Sequence, residues 1–252
     1  MFTRNVLISL GLLSLASSAF ATPAHLFQLH ARQTIGDEQA STTLDPAVIA
    51  TGFAQDGQQD PVAGQVPSLT STNNFINFCL TVPDLPLTNG KQIKTASCNP
   101  APMGVIASTS NMPSSKFIFP KNLDVITANQ PFTVQLGIKN LATGNVVNKQ
   151  TNFLAAPQQV DSQGNIFGFS FVVIEQLDSI QQTTPTNPNL FTFAKTFGGT
   201  AVNGVLTGDV TDGLPAGFYR MATYNSAANG QPALVAVAQH GSLDDMVYFT
   251  VQ

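Results

Sequence analysis

Tryptophan is missing from this chain, histidine occurs three times and cysteine twice, and Lys and Arg together number only ten among 252 residues. With two cysteines, neither in CxxC spacing nor near a His, a reactive thiol or a metal pair has no support. The few cations are spread singly, so the basic footprint that phosphate neutralisation requires is missing and nucleic acid is excluded as a partner. Charged residues make up 10% of the chain with a net charge of -4, so hydration of the surface falls to Ser, Thr, Asn and Gln. Past the N-terminus no apolar run approaches the ~20 residues of a membrane helix, which predicts no membrane span. No segment holds a 3.6-residue period beyond two turns, which argues against a helical fold. Nor is there an Asn-x-Ser/Thr sequon for N-glycosylation.

What is present begins with MFTRNVLISLGLLSLASSAFA, where Arg4, an apolar run over Val6 to Ala16 and an Ala19-Phe20-Ala21 exit read as a signal peptide over residues 1–21. The expectation is a secreted, extracellular protein. In an oxidising compartment Cys79 and Cys98 pair as one disulfide, closing a loop worth about 3 kcal/mol on the chain-entropy account. Residues 22–70 are polar, aperiodic and broken by Asp56-Gly57 and Asp60-Pro61, and read as an extended or flexible arm.

Over 71–252 the pattern becomes short runs of Val, Ile, Phe, Thr and Leu between turn residues, which predicts a single β domain. Strands are expected at 76–82, 116–119, 131–139, 167–175, 190–196, 216–224, 233–238 and 246–251. Asn89-Gly90, Gly144-Asn145, Gly164-Asn165, Asp212-Gly213 and Asn229-Gly230 supply positive-φ turns between them. The fold class predicted is all-β, an antiparallel sandwich or a jelly-roll-like barrel carrying an N-terminal arm. In 167–175 both faces read as buried.

Glu175 is the sole Glu after residue 38 and Arg220 the sole Arg after residue 32, each inside an expected strand. A carboxylate kept there needs a partner, and a structural ion pair of Glu175 with Arg220 is the expectation. The catalytic alternative draws on Glu175, His240, Asp244 and Asp245 as a hydrolase or metal-dependent site. The run His240-Gly241-Ser242-Leu243-Asp244-Asp245 holds the residue types of a triad, but their adjacency has no bearing on the geometry a triad needs. Gly168-Phe169-Ser170-Phe171-Val172 lacks the second glycine of a nucleophile elbow. A glycosidase would join Glu175 to Asp178, Asp209, Asp212, Asp244 or Asp245, at spacings that are not diagnostic. Gly208 to Gly213 reads as a hairpin turn rather than a Ca²⁺ loop. The metal-cupin spacing His-x-His-x(3)-Glu falls on Phe169, Phe171 and Glu175, with Arg220 at the later histidine, so no metal site and no cofactor are predicted. A flat face lined by Tyr219 and Tyr224 would indicate a carbohydrate-binding module.

The stretches STNNFINFCLTVPDLPLTNG, SCNPAPMG, MPSSKFIFPKN, FVVIEQLDS, QTTPTNP, GVLTGDVTDGLPAGFYR and VAQHGSLDDMVYFTV resemble a family of secreted fungal proteins, mainly from basidiomycetes, with no established activity. The resemblance runs from about residue 56 to the C-terminus. In some members His-x-His stands where this chain has Phe169-Ser170-Phe171, so a metal role in those members does not carry over. The functional expectation is a non-enzymatic secreted protein acting at the cell wall, extracellular matrix or a host interface. Its partner would be a cell-wall polysaccharide or another extracellular protein.

Overall fold

The computed structural model describes residues 37–60, 67–149 and 152–252. The expected signal peptide over 1–21 and the arm up to residue 36 lie outside the described residues. Among the described residues nine strands form: β1 (Ser114–Phe119), β2 (Val125–Ile126), β3 (Phe132–Lys139), β4 (Leu141–Ala142), β5 (Ile166–Leu177), β6 (Phe193–Phe197), β7 (Val205–Val210), β8 (Gly217–Ala227) and β9 (Met246–Val251). They build a three-stranded sheet ordered β1-β3-β7 and a six-stranded sheet ordered β2-β9-β8-β5-β4, with β6 also paired to β5. β5 is long enough to take β4 beside its start and β6 beside its middle on the edge opposite β8.

The sheets are held by alternation. In β3, Val134, Leu136 and Ile138 point inward while Thr133, Gln135 and Lys139 face out or lie at the margin. From the other sheet Val172 and Ile174 of β5, Tyr219 and Met221 of β8, and Val247, Phe249 and Val251 of β9 meet them in one apolar cluster. Two inner faces sharing a core define a sandwich. The barrel alternative is not adopted, because among the described residues no hydrogen-bonded ladder joins the two sheets. The two-residue pairings β2–β9 and β4–β5 are parallel, so the larger sheet is mixed rather than purely antiparallel.

Four local expectations need correction. Residues 76–82 are not a strand: Phe78–Thr81 is a 3-10 turn with Phe78 and Leu80 exposed, and among the described residues the first strand starts at Ser114. A short apolar run has no way to become a strand without a ladder partner, and among the described residues 76–82 has none. Over 233–238 there is one isolated bridge, Val235 to Ala107, before the 3-10 turn Ala238–His240. The strand expected at 190–196 starts three residues later, at Phe193. Gly208 and Asp209, read as turn residues, lie within β7. There a Cβ on Gly208 would meet the Phe197 ring at 2.2 Å, so glycine lets β6 and β7 approach along the seam between sheets. On β5 the inner residues Val172 and Ile174 are fully buried, whereas Phe171 and Val173 on the outer face are only half-buried.

Tyr219 lies wholly inside the core, stacked on Phe249 at 5.6 Å, and its hydroxyl donates to the Pro215 carbonyl at 2.8 Å. Burial raises its pKa above the ordinary 10.0. A folded pKa above the unfolded one contributes stability that is present below pH 10 and lost as pH rises through the folded value. Tyr219→Phe should therefore cost about 1 kcal/mol at neutral pH through the lost hydrogen bond, yet show a shallower fall in Tm above pH 10 than the wild type. Thermal melts across pH 7 to 11 check this, and parallel alkaline limbs would refute it.

Candidate functional site

The strand register places three chemistries on the outer face of the six-stranded sheet. Glu175, Arg220 and Tyr248 are cross-strand neighbours on β5, β8 and β9. Arg220 Nε donates to Glu175 Oε2 at 3.0 Å, and Nη2 donates to the same oxygen and to Thr186 Oγ1 at 2.8 Å. The carboxylate is nearly buried, with 8% of its side chain exposed against 27% for Arg220. The hydrogen bond to Glu175 holds the guanidinium pKa above its usual value, burial opposes this, and the charge of Glu175 and the neighbouring Tyr248 add to it. Beside this pair the 178–190 loop forms a shallow polar cleft lined by Gln176, Asp178, Gln182, Thr184, Thr186 and Leu190.

Further along the same face Phe171 of β5 stacks on Tyr224 of β8, with ring centroids 5.4 Å apart. Lys149 reaches over from the loop after β4, its Nζ 4.4 Å from the Phe169 ring centroid and 5.3 Å from that of Phe171, and donates to Thr196 Oγ1 at 2.7 Å. Burial lowers the Lys149 pKa. Burial, and then the charge of Asp244, raises that of the Tyr224 phenol. Lys149 carries no periodic signal in the sequence, and the pairing of Tyr248 with Arg220 follows only from register.

The remaining candidates sit at the end of the sandwich where β8 meets the segment before β9. Asp244 Oδ1 accepts from the Asn225 backbone N–H at 2.6 Å, and Oδ2 accepts from Ser242. Asp245 accepts from the Phe117 backbone N–H at 2.7 Å and from Lys116 Nζ at 3.1 Å. Both carboxylates fasten β1 and β8 to this segment, a capping use of short acidic side chains. His240 is exposed on its 3-10 turn. Asp209 faces outward on the smaller sheet and accepts from Thr133 Oγ1 at 2.7 Å, while Asp178 and Asp212 are exposed. Glu175 thus shares its face with Arg220 rather than with His240, Asp244 or Asp245, none of which hydrogen-bonds to it among the described residues. Also among the described residues, no three His, Cys, Asp or Glu side chains gather as a metal-binding set.

Tyr219 and Tyr224 do not share a face. Five residues apart on one strand they project to opposite sides, Tyr219 into the core and Tyr224 outward, so the flat tyrosine face has Tyr224 and Tyr248 as its members instead. Cys79 and Cys98 are joined, with Cα atoms 5.8 Å apart, and the Cys98 N–H donates to the Pro86 carbonyl at 3.0 Å within the closed loop. No helix among the described residues is long and apolar enough to cross a membrane.

Comparison with known proteins places this architecture in context. "Pathogenicity cluster 5 protein d" of the fungus Colletotrichum graminicola is 40% identical over 210 residues, which are 82% of this chain and 43% of that protein. The chain therefore spans less than half the length of that relative. The crystal structure of the PmoD soluble domain from Methylocystis sp. aligns with 60% of this chain and 98% of its own, at 13% identity and a TM-score of 0.31, a likeness too distant to carry an argument. The family described as "CLU5d N-terminal domain" matches residues 115–252, from β1 through β9 and both sheets, and the chain belongs to that family.

Proposed function

We propose that this chain is a secreted, non-enzymatic fungal protein, of the basidiomycete group its sequence resembles, acting by surface contact at the cell wall, the extracellular matrix or a host interface. The observation that carries this reading is the commitment of its acidic groups to structure. Glu175 is tied to Arg220, Asp244 to the Asn225 backbone, and Asp245 to Phe117 and Lys116. A general acid or base must exchange a proton with substrate, whereas Oε2 of Glu175 and both oxygens of Asp244 and of Asp245 are engaged with neighbouring groups of the fold. The N-terminal hydrophobic segment and the disulfide agree with export. The pathogenicity name of the Colletotrichum relative favours the host-facing version.

The test is co-sedimentation of the purified protein with washed fungal and plant wall material and with matrix protein, while soluble product is assayed in the same tubes. Retention without product is the expected result. Catalytic release of product, lost in Glu175→Gln or His240→Ala, would replace this reading with the hydrolase.

A further inference from the structure

We infer that the loop from Lys91 to Ser97 is a cleavage site for a lysine-directed endoprotease, and that the Cys79–Cys98 disulfide holds the two resulting chains together. Lys91 and Lys94 are the sole Lys or Arg residues between Arg32 and Lys116, and both are exposed. The loop leaves the fold at an Asn89-Gly90 turn, with both residues at positive φ and the Lys91 N–H donating to the Thr88 carbonyl at 2.9 Å. It rejoins the fold at buried Cys98, whose N–H donates to the Pro86 carbonyl and whose carbonyl accepts from the Thr88 N–H, both at 3.0 Å. Between these anchors no backbone group of Gln92 to Ser97 makes a hydrogen bond among the described residues. Such a segment opens into the extended form that a protease active site takes up with almost no structure to break.

The other lysines are held where the backbone resists opening. Lys116, Lys139 and Lys195 lie within β1, β3 and β6. Lys121 is closed into a turn, its N–H donating to Asp124 Oδ2 at 2.7 Å and its carbonyl accepting from the Asp124 N–H at 3.1 Å. The Lys149 ammonium, over Phe169 and bonded to Thr196, would have to leave both to enter an acidic specificity pocket. Cleavage adds one water across the Lys91–Gln92 or Lys94–Thr95 bond, leaving a carboxylate on the lysine and an amine on the next residue. The N-terminal piece is bonded largely to itself: Ser68 and Ser71 N–H groups donate to the Asp56 and Phe53 carbonyls, and the Asn74 side chain bridges Val48 and Ala50. Among the described residues, hydrogen bonds from 37–90 to the chain beyond the loop are confined to Pro86 and Thr88 with Cys98 and Asn99, and Gly90 with Phe153. Once the loop is cut, the disulfide is the covalent link across this seam. A thiol reductant that gives it two electrons, itself becoming a disulfide, leaves Cys79 and Cys98 as thiols and frees the N-terminal piece from the sandwich. The family domain over 115–252 stays whole throughout.

Limited digestion of the full chain with a lysine-specific endoprotease tests this, read by intact mass and by gels with and without dithiothreitol. The expected first product is one disulfide-linked species, heavier by one water, or lacking residues 92–94 where both bonds are cut. Dithiothreitol should split it into a piece ending at Lys91 or Lys94 and one beginning at Gln92 or Thr95, and the two should separate on native size exclusion. The double variant Lys91→Gln, Lys94→Gln should slow the first cut at least about tenfold, because digestion then waits for a rarer opening elsewhere. Cys79→Ser should release the N-terminal piece on cutting without any reductant, and if that variant does not fold, the dithiothreitol arm reads the same link. A first cut after Lys116, Lys121, Lys139, Lys149 or Lys195, an unchanged rate in the double variant, or cut pieces that stay together in dithiothreitol would overturn the inference.

Discussion

Arg220→Ala is expected to lower the melting temperature by about 6–12 °C. Breaking a buried ion pair by removing one partner costs about 3–5 kcal/mol, because the remaining charge is left without compensation in a poorly hydrated site. The low end applies here, since the Arg220 side chain keeps 27% of its surface in water. At about 3 kcal/mol, a domain of this size loses roughly 2–4 °C for each kcal/mol. The carboxylate left behind is 8% exposed and would lose its donors from both Nε and Nη2. Because its partner holds the Arg220 pKa above an already very high value, the guanidinium stays charged in folded and unfolded chains alike over the neutral range. Its contribution would fade only as pH rises past the ordinary arginine value, beyond the range in which the sandwich can be assayed. Paired melts of Arg220→Ala, Glu175→Gln and the double variant measure this, with the double variant expected to lose less than the sum of the singles. A single variant melting within about 1 °C of wild type would mean that the pair holds nothing together.

Gly168→Ala should be more disruptive than its size suggests, costing about 3 kcal/mol or more. Gly168 lies in β5 opposite Ala227, and a Cβ there would come within 2.0 Å of the Ser226 carbonyl oxygen and 3.1 Å of the Leu141 side chain. The first obstacle is backbone in the β5–β8 ladder, which has no rotamer to change, so relief requires the two strands to separate locally. Gly199→Ala is the matched control, because nothing lies within 4 Å of its added Cβ. It should shift stability by no more than about 0.5 kcal/mol. Chemical denaturation of both variants decides the matter, and equal midpoints would show that the β5–β8 approach is looser than its geometry.

The strands that read most clearly were those with complete alternation. MVYFTV became β9 over Met246–Val251, and FTVQLGIK became β3, because a period of two survives in the letters whenever one face is buried and the other is not. INFCLTV is similarly rich in apolar and β-branched residues without the same outcome, since strand formation needs a neighbour and its neighbour is decided by the rest of the chain. β7 was hidden for the opposite reason. VLTGDV contains a glycine and an aspartate that signal a turn locally, yet the glycine is there because Phe197 fills the space a side chain would take. In the candidate site, Glu175 and Arg220 stood out by scarcity alone, one Glu and one Arg in more than two hundred residues. Tyr224 and Tyr248 did not, and Tyr219 stood in the wrong place, because which side of a sheet a residue faces depends on register and on which face the second sheet covers.

By itself the chain's composition determined an all-β protein with little charge, with two cysteines available to each other and without a basic surface for nucleic acid. These follow from residue totals and local periodicity, which no tertiary contact can alter. Only the tertiary structure decided that the sheets stay apart as a sandwich, that Asp244 and Asp245 serve as fasteners, and that two tyrosines distant in sequence share the outer face with a neutralised ion pair. Those outcomes depend on pairings between strands up to dozens of residues apart, such as Arg220 with Tyr248 and Phe171 with Tyr224, whose partners are selected by burial of the whole core rather than by anything written beside them.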